Sequence, residues 1–329
     1  MPTGKKTISL FVLVTLIVLI AGAYYWQAGS ADTSNPRANF WRVVRQGTPA
    51  YTSTPQQGHT ILIVNSGENW REFRNGFIMP LSQWLLVLAL AGMGLVYKFV
   101  GPDKLEGPRT GVKIERYTQR DRIVHWYTAV LFIIMALTGL SLLLGRILLI
   151  PIFGHSVDSA FLQMSKILHN YCGPLLLIGI LLEFFSWARV NIPGKADLAW
   201  FKTMGGMLSK GPRPHTGKVN IGQMGWFWLV VIFGIIVGIT GVLLDFPIWG
   251  QSRFTMQVSH VIHAITAILF VTFSLGHIYM GSIGVEGVFE GMWRGSVDEV
   301  WARQHADLWY EEMMQKKAGK AQTGSSGHE

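Results

Sequence analysis

The sequence is short of the groups that a water-soluble fold depends on. Only 14% of its 329 residues are charged while half are hydrophobic, against roughly one quarter charged in ordinary soluble domains. That balance excludes a soluble globular protein and leaves an integral membrane one. A single cysteine, Cys172, rules out an internal disulfide. It also rules out a resident iron–sulfur cluster, which takes about four thiolates, so any such cluster must come from another subunit, and Cys172 reads as a small buried apolar residue. Acidic residues are scarce too, 19 against 28 lysines and arginines. The resulting charge of +9 does not point to nucleic acid, because the cations fall in short loops beside apolar segments rather than along a binding stripe. No internal repeat is evident, which counts against a small-solute transporter.

What is present is a series of six apolar segments of spanning length: Ile8–Trp26, Ile78–Val100, Ile123–Leu144, Ile167–Trp187, Gly225–Leu244 and Ser259–Met280. The first follows Lys5 and Lys6 and precedes Ala28-Gly-Ser-Ala31, so it reads as a retained anchor or a cleaved signal peptide. The polar stretch 27–77 is then an outer loop or small module. Lys104, Arg109, Lys113, Arg116, Arg120 and Arg122 crowd one connection, and Lys195, Lys202, Lys210, Arg213 and Lys218 another. Both are expected on the cytoplasmic side, with the cation-poor connections 145–166 and 245–258 opposite. The polar tail after Lys316 is expected to fray.

His263 and His277 stand fourteen residues apart on the sixth segment. On a helix that interval is 40° short of four turns and about 21 Å long, so both rings project from nearly one face, at two levels. Alternating helix direction assigns His125 to the cytoplasmic level with His277, and His169 to the outer level with His263. Two imidazoles on opposite faces of a porphyrin leave iron six-coordinate, a state suited to single-electron transfer. The expectation is two haems b, without covalent attachment because Cys-x-x-Cys-His is absent. A zinc site fits less well, since neither pair has an evident third or fourth ligand.

Small residues stand at i+4 from each histidine, Ala129, Gly173, Ala267 and Gly281, as expected where a macrocycle lies against a helix. Glu183 reads either as part of a proton path or as an interfacial carboxylate, with the second preferred. Arg116, Arg120 and Arg122 would pair with haem propionates or simply follow the topology. Trp126, Trp187, Trp226, Trp228 and Tyr279 read as interfacial anchors, and His59, His155, His215, His305 and His328 as loop or tail residues.

Arg122-Ile-Val-His125-Trp126, Ile167-Leu-His169, Ile262-His263-Ala264 and His277-Ile-Tyr279-Met280 resemble, in order, the ligand motifs of the membrane cytochrome b (gamma) subunit of respiratory formate dehydrogenase. Asn191-Ile-Pro193-Gly-Lys195-Ala-Asp197, Val219-Asn220-Ile-Gly222-Gln223 and the tail Trp301-Ala-Arg-Gln-His305-Ala-Asp-Leu-Trp309-Tyr310 extend the resemblance from about Lys113 to Glu312. It implies an all-α membrane protein that anchors an iron–sulfur (beta) subunit and a molybdenum or tungsten catalytic (alpha) subunit on the periplasmic side of a bacterial inner membrane. Electrons from formate would cross to a quinone near Asn220, Gly222, Gln223 and His277, and the formate site would lie on the partner. The domains implied are an anchor or signal peptide (1–26), an outer module (27–77), a second transmembrane helix (78–100), a basic cytoplasmic loop (101–122), a four-helix dihaem core (123–282) and a cytoplasmic tail (283–329). The rival readings are the cytochrome b subunit of a nickel–iron hydrogenase or thiosulfate reductase, and a structural anchor without haem.

Overall fold

The computed structural model describes residues 65–194, 197 and 213–325. The expected first segment, most of the outer module, His59, His328 and the loop cations Lys195, Lys202 and Lys210 lie outside the described residues. Two compact units divide the chain, Met1–Phe77 and Ile78–Glu329. The end of the expected outer loop or module forms a helix, α1 (Asn65–Phe73), followed by a π-helical turn, Arg74–Ile78, which runs across the boundary of the two units. The second unit holds α2 (Met79–Phe99), α3 (Gln119–Leu148), α4 (Ile150–Trp187), α5 (Ile221–Asp245) and α6 (Arg253–Tyr279). Among the described residues, five helices are long and apolar enough to cross a membrane. The protein is a helical, multi-pass membrane bundle.

α3, α5 and α6 begin before their apolar segments because polar caps, not hydropathy, set those ends. Thr118 and Asp121 form a reciprocal capping box at the start of α3, and Asn220 and Gln223 form another on α5. Ser252 caps α6, accepting from the Thr255 N–H. The expected connection 145–166 is helical almost throughout, α3 and α4 being separated at Leu149 and the path of α4 broken at Gly154, whose φ of 75° suits glycine. The spans of α4 and α6 start at Ala160 and Arg253. His169 and His263 therefore lie nine and ten residues in, about 14 and 15 Å from those ends and deeper than expected.

Glycines let the helices close on one another. A Cβ on Gly234 or Gly238 of α5 would come 2.3 Å from Ile180 Cδ1 or 2.6 Å from Leu177 Cδ1 of α4, and one on Gly179 would meet Thr128 Oγ1 of α3 at 2.7 Å. Every seventh residue then repeats a face, one level further along: His125, Phe132, Gly139 on α3; His169, Leu176, Glu183 on α4; Trp226, Phe233, Thr240 on α5; His263, Phe270, His277 on α6. The middle level is apolar, with Phe270 centred 4.7 Å from Phe132 and 6.2 Å from Phe233. Leu137, Phe185, Ile232, Ile239 and Phe273 stay exposed on the outside of the bundle, where hydrocarbon rather than water would meet them.

The basic loop and the tail, expected as separate polar segments, fold together. Strand β1 (Lys113–Glu115) pairs antiparallel with β2 (Ser296–Asp298), and α7 (Val288–Arg294), α8 (Glu299–His305) and α9 (Asp307–Ser325) complete this annex. The helix runs nine residues beyond Lys316, where fraying was expected. Its core is Ile114, Val297, Trp301, Ala302, Ala306 and Trp309. Buried Asp298 accepts from the backbone N–H groups of Thr110, Gly111 and Val300, tying loop to tail. Burial alone would raise that carboxyl, but these donors and Lys113 hold it below the usual carboxylate range.

Candidate functional site: two histidine pairs

The bundle brings the four histidines together two by two. The rings of His169 on α4 and His263 on α6 are centred 6.1 Å apart, and those of His125 on α3 and His277 on α6 are 6.3 Å apart. Metal–imidazole bonds of about 2.0 Å, with about 1.1 Å from each nitrogen to its ring centre, separate two trans imidazoles by about 6.2 Å. Among the described residues no three of His, Cys, Asp and Glu gather into a metal site. Each pair thus offers two donors, a set that suits the axial positions of a macrocycle better than a bare ion.

Around His169 and His263 the surroundings repeat. Thr138 Oγ1 lies 3.0 Å from His169 Nδ1, and Thr240 Oγ1 lies 3.0 Å from His263 Nδ1. Each hydroxyl donates its proton back along its own helix, at 2.7 Å, to the carbonyl of Ile134 or Ile236. A hydroxyl with its proton so used accepts, and the Met135 and Val237 carbonyls of the same turns are further acceptors for the two rings, so Nδ1 of each is assigned as the protonated nitrogen and Nε2 is left with the lone pair. The next residue in both helices is glycine. A Cβ on Gly139 would stand 3.0 Å from His169 Cε1, and one on Gly241 3.3 Å from His263 Cε1.

His125 and His277 are held differently. His277 lies face to face on Trp226, with centroids 4.6 Å apart and planes 10° from parallel. His125 meets the edge of Trp126, whose Nε1 donates to the Met292 carbonyl of the annex. His125 Nδ1 is buried without a hydrogen-bond partner. Trp126 and Trp226, expected as anchors, therefore pack against the histidines. Trp187 and Trp228 do hold helix ends, through Asp121 and the Asn191 carbonyl.

The other candidates divide. Asn220 Oδ1 and Gln223 Oε1 both serve the α5 capping box, and Arg116 donates to Gln223 Oε1 at 3.4 Å. These residues and Gly222 lie about one turn before Trp226, the residue of α5 that packs on His277. Glu183 is buried at the same level and hydrogen-bonded to Thr128 of α3, so it is no interfacial carboxylate. The i+4 positions are not the tight ones: Gly281 has nothing within 4 Å and Gly173 only an ordinary contact with Met135. Arg116 is buried against the Trp301 ring, and Arg122 donates to the Trp293 carbonyl. His155 lies in α4, not in a loop. His305, expected in a loop or tail, ends α8, largely buried 3.9 Å from Asp103, and burial pushes its imidazole down to about 4, so it is neutral there. His215 is exposed and bonded to Asp307.

Sequence reading passed over Thr138-Gly139 and Thr240-Gly241, although both lie in one pattern: Ile134-Met-Ala-Leu-Thr-Gly-Leu140 and Ile236-Val-Gly-Ile-Thr-Gly-Val242. This short repeat was the available signal.

The prokaryotic cytochrome b561 family matches residues 116–295, a range that contains all four histidines and both Thr-Gly pairs. The formate dehydrogenase cytochrome b556(fdo) subunit of Escherichia coli (strain K12) is 29% identical over 213 residues, 64% of this chain and 97% of its own. The nitrate-inducible formate dehydrogenase cytochrome b556(Fdn) subunit of the same organism is 32% identical over 206 residues, 61% of this chain and 91% of its own. More distantly, a probable Ni/Fe-hydrogenase B-type cytochrome subunit of Azotobacter vinelandii is 24% identical over 210 residues, 54% of this chain and 84% of its own.

Proposed function

We propose that this chain, which belongs to the prokaryotic cytochrome b561 family, is the dihaem cytochrome b subunit of a formate dehydrogenase. It anchors iron–sulfur and molybdenum or tungsten catalytic subunits and passes electrons from formate oxidation across the membrane to quinone. The observation that carries this reading is the pair of His–His separations, each of a size that would let both imidazoles hold one metal. The relatives named as formate dehydrogenase cytochromes supply the donor.

His169 and His263 would hold one haem b and His125 and His277 the other. Haem b bound by two imidazoles supplies reversible one-electron chemistry without an open coordination position. Phe132, Phe233 and Phe270 fill the space between the two levels and keep water out of it. The Arg109 to Arg122 loop and the annex lie at the His125/His277 end, which positive-inside topology puts in the cytoplasm. The partners then dock at the periplasmic end, where electrons arrive. Quinone is reduced at the cytoplasmic end, beside His277 and the α5 N-terminus, where the backbone N–H groups and side-chain oxygens of Asn220 and Gln223 serve the cap and their side-chain nitrogens, Nδ2 and Nε2, would donate to a quinone carbonyl.

Pyridine-haemochrome quantification and reduced-minus-oxidised spectra of the purified complex test this reading. About two haems b per chain, reduced by formate with the partners present, are expected. Reduction by hydrogen or dithionite but not formate would transfer the chain to the hydrogenase-type reading, and haem-free protein in a haem-supplied host would leave only an anchor.

A further inference from the structure

We propose that Thr138 and Thr240 are redox-positioning residues: they fix His169 and His263 with Nδ1 protonated and thereby set the metal centre at that level to a lower potential than the one at His125 and His277. The inference rests on the dihaem reading above and gives the direction stated there a physical cause.

The geometry occurs twice and independently. In each case a threonine hydroxyl is pinned by its own helix through the i−4 carbonyl and turns its acceptor lone pair to the neighbouring helix's imidazole at 3.0 Å, beside the i−3 carbonyl, Met135 or Val237, which the same ring also meets. In each case the following glycine removes the Cβ that would otherwise press on the ring, at 3.0 Å for Gly139 and 3.3 Å for Gly241. The contact crosses between helices in both, α3 to α4 and α5 to α6, so backbone packing sets it and a rotating side chain does not. A ring that donates Nδ1–H to a fixed acceptor is a more basic ligand at Nε2. Two such ligands on one iron favour its more positive, oxidised state and lower the potential. The other centre lacks this support. His125 Nδ1 is buried with no acceptor, and His277 lies against the Trp226 ring. The same four histidines therefore make unequal centres, ordered so that electrons move downhill from His169/His263 toward His125/His277.

The test is potentiometric titration of the full complex, followed optically and by low-temperature EPR, in wild type, Thr138→Val, Thr240→Val, the double variant and the matching Thr→Ser variants. Valine keeps the shape and deletes the hydroxyl, while serine restores it. The expected result is two low-spin haems throughout. One component should become more easily reduced by about tenfold in each single Val variant, about 59 mV for a one-electron couple. The double variant should shift it further, the second component should not move, and the Ser variants should titrate near wild type. Loss of one haem in a Val variant, with retention in its Ser counterpart, would equally assign the role to the hydroxyl. Unchanged potentials in the Val variants, equal shifts of both components, or Ser variants that behave like Val would overturn the proposal while leaving the haem assignment intact. A wild-type complex without haem would instead overturn the reading beneath it.

Discussion

The two histidine pairs are alike in spacing, 6.1 and 6.3 Å, and unlike in almost everything around them. One is braced by threonines and glycines from the adjoining helices deep in the bundle. The other is wedged between tryptophans at the end that carries the folded annex, with one imidazole nitrogen unpaired. Ligand identity alone thus leaves two centres equal. Hydrogen bonding and packing one shell out make them different, which is where a protein tunes a metal it cannot otherwise change.

The comparison breaks most severely if the pairs are not independent. His263→Ala and His277→Ala should each remove about half the haem measured per chain, at different levels, because each ring belongs to one pair only. Pyridine-haemochrome assay checks this, and loss of all haem from both variants would mean that the pairs form one site.

The glycines sharpen the comparison next. Gly139→Ala introduces a Cβ at 3.0 Å from His169, and overpacking of this kind costs about 1–3 kcal/mol. Thermal release of one haem should come at lower temperature. Gly241→Ala, starting from 3.3 Å, should have a smaller effect, and Gly281→Ala, with nothing within 4 Å, almost none. Equal effects at Gly139 and Gly281 would count against the bracing.

Smaller still is the stacking at the other pair. Trp226→Leu removes a face-to-face contact with His277, a type of interaction that contributes about 0.5–1.5 kcal/mol beyond its buried area. The spectrum of one haem should broaden and the other stay unchanged. If the same component responds to Trp226→Leu and to Thr240→Val, the two environments are not separate.

The smallest effect concerns the annex. The Asp307 bond raises the exposed His215 imidazole above its ordinary value of 6.5. Its stabilisation is therefore complete below that value and lost as pH rises through the raised one. Asp307 would be raised by burial, but His215 and the Thr216 and Leu308 N–H groups hold it below its ordinary 3.8, so its share is lost only in acid. Hydrogen exchange at Thr216 and Leu308 should quicken slightly on the alkaline side in wild type and lose that pH dependence in His215→Gln.

Much of this was legible in the chain. Hydropathy located the apolar cores of α2 to α6, because a bilayer demands unbroken apolar length. It missed the helix ends at Thr118, Asn220 and Ser252, which are polar caps that no hydropathy window weighs. The fourteen-residue interval and alternating direction already matched His125 with His277 and His169 with His263, since helical geometry fixes level and face. The annex was hidden because β1 and β2 are three residues each and about 180 positions apart, so neither carries a periodic signal. Trp226 was misread because an indole beside a helix end serves equally as an anchor or as a stacking partner.

The sequence by itself determined the membrane class, the placing of the five apolar spans among the described residues, and the levels at which imidazoles occur, because these depend on composition and on the pitch of a single helix. Only the tertiary structure decided what stands next to each imidazole. Thr138, Gly139, Thr240 and Gly241 act on rings carried by other helices, at distances set by how closely the backbones approach. Contacts of that kind are not a property of any one segment, and they arise only when the helices pack.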